Sequence, residues 1–336
     1  PYGIVASTAP PGYYDSLEGK SGAVLKQAIQ DIIADPTVVR AHNYGDINTI
    51  LKTSDQNPLN SNEIWMMYKE QPRSKLLIQT TGSGTGKWNR EHIYPQSRGG
   101  FANATSETPD GMNIWETTSA DMLLHGHADA HHIRAEDGPE NSSRNNKDYG
   151  LTDYNGFSGN QGSWKGDVAR SVFYMAIRYN GLEVVNGNPA DTTVGQLGDL
   201  ATLLTWNIAD PSDDFEMNRN NYIYTWQYNR NPFIDYPDLA NYIWGANAGQ
   251  TWFSMLSVDE KIDLKVAIYP NPAKNHITFS GIKNEATIEI YSISGQKLLS
   301  NVFSGEKTFT IDFQTGIYIA KLSSEGKTAV KKISVQ

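Results

Sequence analysis

The hydrophobic period of this chain changes once, near residue 260. Before that point apolar residues recur at helical spacing. After it they alternate in short runs broken by turn residues. Side chains repeat every ~3.6 residues on a helix and every second residue on a strand, so one layer cannot satisfy both patterns. The pattern therefore asks for two domains, 1–258 and 259–336. The length of 336 residues suggests the same number at roughly 150 residues per domain.

In the first part, residues 1–20 are rich in Gly, Pro and Tyr and read as an extended arm. Helices are expected over Ala23–Ala34, Ile47–Lys52, Asp167–Tyr179, Leu197–Asn207 and Asp213–Gln227. Short strands are expected over Ile64–Tyr68 and Leu76–Thr80, with a Gly/Ser/Thr turn at Thr81–Gly86. In the second part the expected strands are Ile277–Phe279, Ala286–Tyr291, Lys297–Leu299, Thr308–Ile311, Ile317–Leu322 and Lys331–Val335, with a turn at Ser294-Gly295. Such spacing suggests a small antiparallel sandwich. The fold class is thus α+β, a mainly helical domain followed by a small all-β domain. The start at Pro1-Tyr2-Gly3 reads as a processed or trimmed product.

Two absences and the charge narrow the chemistry. The chain has no cysteine, which removes disulfides, thiolate nucleophiles and thiolate metal sites together. Any metal must sit on oxygen and nitrogen ligands. No run of apolar residues is long enough to span a bilayer. The charge is acidic and uneven: net −9 overall, with 10 basic and 8 acidic residues from Asp259 onward, so the excess lies in the first part. An acidic body does not advertise nucleic-acid binding, although screening leaves the local field to decide.

The sharpest local anomaly is histidine. Five of the seven fall between residues 92 and 132: His92, His125, His127, His131 and His132. Asp121, Asp129, Asp137 and Asn141 lie among or just after them, and Glu91 directly precedes His92. In Trp88-Asn89-Arg90-Glu91-His92-Ile93-Tyr94-Pro95, neighbouring side chains on a regular strand would face opposite ways. At a strand end turned by Pro95, Glu91 and His92 can serve one site, a hard oxygen ligand beside a general base. Further on, Asp137-Gly138 is a turn signal and Asn141 stands where a helix begins, able to offer a neutral amide oxygen. It is also readable as a helix cap or as part of an Asn-x-Ser sequon. Arg144 and Lys147 follow within phosphate reach. Trp88, Trp115 and Trp164 read as core aromatics in preference to base-stacking platforms.

Asn89-Arg90-Glu91-His92 with Pro95-Gln96-Ser97, then Asp129-x-His131-His132, and Asp137-Gly138 before Asn141-Ser142-Ser143-Arg144-x-Asn146, closely resemble the bacterial endonuclease I family. Pro11-Gly12-Tyr13-Tyr14, Gly166-Asp167-Val168-Ala169-Arg170 and Asn229-Arg230-Asn231-Pro232-Phe233-Ile234-Asp235 agree with it, so the resemblance spans about residues 10–245. It implies a ββα-metal nuclease fold and secreted, largely sequence-independent cleavage of DNA, often of RNA too; in-line attack by water with release of the 3′ oxygen would leave 5′-phosphate products. By the same resemblance Glu91 and Asn141 hold the metal, Mg²⁺ or else Ca²⁺ or Mn²⁺, and His92 is the general base. Asp129 and His131 match the family's second strand and, with Asn146, act as supports. The family's phosphate-binding arginine has no counterpart, since no arginine lies between Arg98 and Arg134. Arg98, Arg134 and Arg144 are the candidates.

Val266-Ala267-Ile268-Tyr269-Pro270-Asn271-Pro272-Ala273, Ile290–Lys297 and Gly316–Lys321 resemble the C-terminal sorting domain of the type IX secretion system. That implies secretion machinery as a partner and an extracellular or cell-surface destination. Two readings compete with the nuclease: a surface-attached nucleic-acid or glycan-binding protein with an inactive nuclease fold, and a phosphoesterase acting on small substrates in a closed pocket.

Overall fold

A computed structural model of the chain describes residues 5–254, 266–292, 296–324 and 327–336. It divides into two compact units, Pro1–Phe253 and Ser254–Gln336. The expected boundary at 258/259, the chain start and the Ser294-Gly295 turn lie outside the described residues.

The first unit is organised around one helix. Among its elements are α1 (Gly22–Ile33), α2 (Tyr44–Ser54), the hairpin strands β1 (Glu63–Met66) and β2 (Gln71–Ser74), β3 (Trp88–His92), the single turn α3 (Gln96–Gly99), β4 (Ile133–Asp137), α4 (Gly138–Arg144), α5 (Lys165–Arg178), α6 (Leu200–Ala209) and α7 (Asp214–Gln227). In α5 every residue from Gly166 to Arg178 except Asp167 is buried, so this helix has no solvent face. Two of its charged side chains are paired: Arg170 binds Glu216, and Asp167 accepts from Arg134 at 2.8 Å. Val168, Val172, Phe173 and Ile177 join Leu25, Ile29 and Ile33 of α1 and the aromatics Tyr68, Tyr149 and Trp164 in one core. A second cluster holds Tyr44, Ile47, Ile50 and Leu51 of α2 against Trp88, Ile133, Ala135 and Ile223.

Strands β3 and β4 pair antiparallel from Trp88 against Asp137 to His92 against Ile133. The chain then turns at Asp137 into α4. Asp137 caps that helix, its Oδ2 accepting from the Glu140 N–H at 3.2 Å, and Pro139 fills the first turn. Two strands and a helix thus stand in the order the motif spacing suggests.

Several expectations are corrected. Leu76–Thr80 is not a strand; the partner of β1 is Gln71–Ser74, and Leu76 and Leu77 are exposed. Residues 5–20 do not form a plain arm: Asp15–Leu17 is a short 3₁₀ turn, and Tyr14 and Leu17 are core residues. Trp88 and Trp164 are buried as expected, whereas Trp115 is 48% exposed beside Tyr228.

The second unit is a single antiparallel sheet curled on itself, not two packed sheets. It contains β5 (Ala267–Tyr269), β6 (His276–Ser292), β7 (Lys297–Thr310), β8 (Gly316–Ser324) and β9 (Lys327–Val335), in the order β7-β6-β8-β9, with β5 also on β6. The expected pairs of short strands are halves of β6 and of β7. Register shifts at Phe279/Ile282 and Ile282/Ala286 bend the strands without ending them. The bend encloses Ile277, Phe279, Ile288, Ile290, Phe303, Phe309, Leu322 and Ile333.

Four histidines of the dense stretch, His92, His127, His131 and His132, are buried. The Nε2 of His131 faces the Asn229 carbonyl at 3.1 Å, and that of His132 faces the Gly126 carbonyl at 2.7 Å. Each Nδ1 is buried without a partner, so a second proton would have no acceptor. Burial accordingly pushes both rings down to about 4, against the pull of Asp129. The sign follows: between pH ~6.5 and about 4 the unfolded chain binds a proton that each folded ring refuses, so their contribution to stability falls as pH falls. Glu91 and Glu216 are pushed up by burial, to about 7 and about 8, and pull the other way. A difference measurement isolates the histidine. Relative to His132→Asn, the native protein is expected to lose roughly 3 kcal/mol between pH 6.5 and 4 in urea unfolding. Parallel profiles for the two proteins would contradict a neutral buried His132.

Candidate active site

The end of β3, the first turn after it and α4 enclose a cavity of about 410 Å³, lined by Arg90, Glu91, His92, Gln96, Asn141 and Asn146 among others. Three sets of interactions shape it.

His92 is the last residue of β3, and its ring is buried among Tyr44, Phe101, His127 and His132, with centroids 5.3–6.2 Å away. Its Nε2 lies 2.9 Å from the His127 carbonyl, which can only accept. The proton is therefore on Nε2 and the lone pair on Nδ1. Consistent with this, the Gln96 side-chain amide donates to Nδ1 at 3.1 Å. Burial, with His132 next, keeps the ring well below the usual histidine range, so it is a neutral acceptor at physiological pH.

Glu91, the residue before His92, also lines the cavity. Its Oε1 accepts from the Tyr68 hydroxyl at 2.8 Å and lies 3.4 Å from Arg144 Nη1. Burial pushes its carboxyl up to about 7 even so, against Arg144 and the Tyr68 hydrogen bond. A carboxylate held at that cost gains strongly from a nearby cation.

Asn141 sits in α4, half-buried, and its amide orientation is determined. Its Nδ2 donates to Asn89 Oδ1 at 2.9 Å and to the Arg90 carbonyl at 3.2 Å. Asn89 Nδ2 donates to Gln79 Oε1 at 2.9 Å, and Gln79 Nε2 donates to the Gly82 carbonyl at 2.7 Å. The Gly82 carbonyl cannot donate, so the direction of the whole chain is set, and Asn141 Oδ1 has no protein donor among the described residues. Gly84 and Gly138 let the 81–86 turn pass over the start of α4. A Cβ on Gly138 would meet Gly84 Cα at 2.7 Å.

The structure thus brings Glu91, His92, Asn141 and Asn146 to one cavity. It places the other named residues elsewhere. None of the three candidate arginines lines the cavity. Arg98 is fully buried and spends its donors on the Gln196 and Asn146 carbonyls and on Asp148, 2.9 Å away. Arg134 is buried between Asp55 and Asp167. Arg144 lies beneath the site, donating to the carbonyls of His92, Ile93 and Asn145 at 2.6–3.2 Å. Asp129 is not on a strand. It caps the 3₁₀ turn Ala130–His132 and accepts from Tyr174, Tyr179 and Gln227 at 2.9–3.0 Å. The arginine that does line the cavity is Arg90, half-buried, its guanidinium 3.5 Å from the Tyr44 ring centroid and bonded to exposed Glu107 at 2.9 Å. Its place in the Asn-Arg-Glu-His run was the available signal for it. Nothing local marked Tyr68 or Gln79, which reach the site from separate segments; His127 stood in the histidine-dense stretch, but not as the backbone partner of His92.

A sequence profile of endonuclease I matches residues 21–164 and 161–238, most of the first unit. The chain belongs to the endonuclease I family. It is also 38% identical over 250 residues to an extracellular ribonuclease of Bacillus subtilis, covering 69% of this chain and 78% of that one. A second extracellular ribonuclease, from Bacillus amyloliquefaciens, is 36% identical over 259 residues, covering 72% and 81%. Residues 267–336 match a secretion-system C-terminal sorting domain. This endonuclease I protein is therefore a nuclease hydrolase, secreted or displayed at the cell surface, joined to a type IX sorting domain. Among the described residues no helix is long and apolar enough to cross a membrane.

Proposed function

We propose that the protein is a divalent-metal-dependent, largely sequence-independent endonuclease that hydrolyses DNA and RNA, with His92 as general base and Glu91 and Asn141 as metal ligands. The observation that carries this reading is the pinned tautomer of His92. Its proton is committed to the His127 carbonyl, and its lone pair opens on the cavity that Glu91 and Asn141 also line.

The donor set fits a hard cation. A carboxylate and an amide oxygen are both hard, and two protein ligands leave room for the several waters that Mg²⁺ retains; Ca²⁺ and Mn²⁺ suit the same donors. The bound ion would offset charge on the phosphoryl oxygens and the leaving oxygen. His92 Nδ1 takes a proton from water, in the place where the Gln96 amide now donates. The water oxygen bonds phosphorus, the bond to the 3′ oxygen breaks, and that oxygen takes a proton from solvent, leaving a 5′-phosphate. Arg90 is the cavity's guanidinium and is suited to a phosphate oxygen once it releases Glu107. Attack by external water makes no use of a ribose 2′-hydroxyl, so deoxyribose and ribose backbones are both substrates.

The test is digestion of supercoiled plasmid and of a long RNA, with end-labelling of the products. Both substrates are expected to be cut with Mg²⁺, to resist cutting in excess EDTA, and to be cut again when Mg²⁺ is restored. Undiminished cleavage in EDTA, or cleavage of RNA alone, would refute the proposal.

A further inference from the structure

A second cluster of acidic groups lies outside the catalytic cavity. Asp148, Asp153 and Asp191 each bring a carboxylate oxygen within 4.8 Å of the others. Acidic clusters of this kind are ordinary on surfaces, but here one member is not at the surface. Asp148 is fully buried. Its Oδ1 is satisfied by the Gly198 N–H at 2.6 Å and by Arg98 Nη1 at 2.9 Å. Its Oδ2 is buried and has no hydrogen-bond partner among the described residues. A buried carboxylate oxygen without a donor is costly, and such an oxygen asks for a ligand.

The surroundings indicate which ligand. Three carboxylates against the single guanidinium of Arg98 leave two negative charges in excess. All the offered atoms are hard oxygens, which excludes the preferences of soft metals. The three residues come from irregular segments, 148–153 and the loop that carries Asp191, and range from buried to exposed. Loop-borne oxygens in irregular array suit Ca²⁺, which tolerates variable geometry and adds waters, better than Mg²⁺, which requires a near-ideal octahedron. Exposed Asp191 provides the entry path. The two segments already meet: Asn188 Nδ2 donates to Thr152 Oγ1 at 2.9 Å, and the Tyr149 N–H donates to the Gly198 carbonyl at 3.0 Å.

We propose that Asp148, Asp153 and Asp191 form a calcium site, separate from the catalytic centre, that clamps the 148–153 segment to the loop carrying Asp191. The site is independent of the catalytic assignment. It does touch the site's support, because Arg98, which follows the catalytic strand, is bonded to Asp148. An affinity on the order of 10⁻⁴ M, as in extracellular calcium modules, would keep it filled outside the cell.

The test uses the full chain, stripped with EGTA and titrated with CaCl₂ while melting is followed. The native protein and an E91Q/N141A double variant are both expected to gain on the order of 5 °C at 10 mM Ca²⁺. D191N is expected to lose that gain, with the calcium dissociation constant weakened tenfold or more by calorimetry. Without calcium it should melt no lower than the native protein, because one of three crowded charges is gone. D153N serves as a second variant. A calcium response that survives D191N and D153N but vanishes in E91Q/N141A would place the ion at the catalytic centre and overturn the proposal. So would the absence of any calcium response.

Discussion

His92→Ala is expected to lower the rate of phosphodiester cleavage by about 10³-fold, within the range that a positioned general base supplies. The variant should fold, since the ring's one backbone partner, the His127 carbonyl, faces a space that water can enter once the imidazole is removed. It should also bind Mg²⁺ and nucleic acid with affinities close to native, because the oxygens of Glu91 and Asn141 and the Arg90 guanidinium are untouched. The contrast between kcat and binding is the diagnostic. A variant with near-native kcat would remove His92 from the proton transfer, and one that no longer bound metal would move it among the ligands. His92→Gln adds a finer check. Its amide keeps a donor for the His127 carbonyl but offers no basic nitrogen, so folding should recover while turnover does not.

The second large effect is expected at Arg144. Its resemblance-based candidacy was as a phosphate ligand, but it is buried, with three backbone carbonyls and Glu91 around it and the Tyr149 ring 4.6 Å away. Arg144→Met should destabilise the protein by about 3–5 kcal/mol, since Glu91 is left buried without its counter-charge. Glu91 would then rise further, because Arg144 is the chief group opposing its burial. Magnesium affinity near neutral pH should fall with it. Urea unfolding and metal titration measure the two losses together. A phosphate ligand would behave otherwise: native stability, native metal affinity and a raised KM. That outcome would return Arg144 to the substrate.

The contrast between His92 and Arg144 shows what a sequence discloses here. Helices α1 and α5 were legible because apolar residues recur in each at a single helical period. The order of strand, strand and helix was legible because Pro95, Asp137 and Gly138 punctuate it locally. The candidate ligands and base were legible as residue types gathered in two short runs. The state of each charge was not. Arg98, Arg134 and Arg144 carry the same side chain as Arg90, and only the fold shows that carboxylates and carbonyls from distant segments have already taken their donors. The same holds for β4, whose Arg134, Glu136 and Asp137 are buried although the run looks solvated. The long strands of the second unit escaped for a different reason: bulges interrupt the alternation that marks a strand, without interrupting the strand.

The chain of amides from Gly82 to Asn141 has one more consequence. Three side-chain amides in series must keep one sense of donation, and a backbone carbonyl stands at each end: Gly82 accepts from Gln79, and Arg90 accepts from Asn141. In the setting seen, Asn141 shows the cavity an oxygen and invites a cation. Reversed, the same residue would show it two N–H groups and invite an anion, on an unchanged backbone and with no change of charge. The peptide carbonyls of Gly82 and Arg90, which can accept but never donate, exclude the reversed setting from both ends. The amide orientation that would suit a cation is thus held twice, by a glycine-rich turn and by the backbone of β3, so reshaping the turn alone should leave Asn141 as it stands.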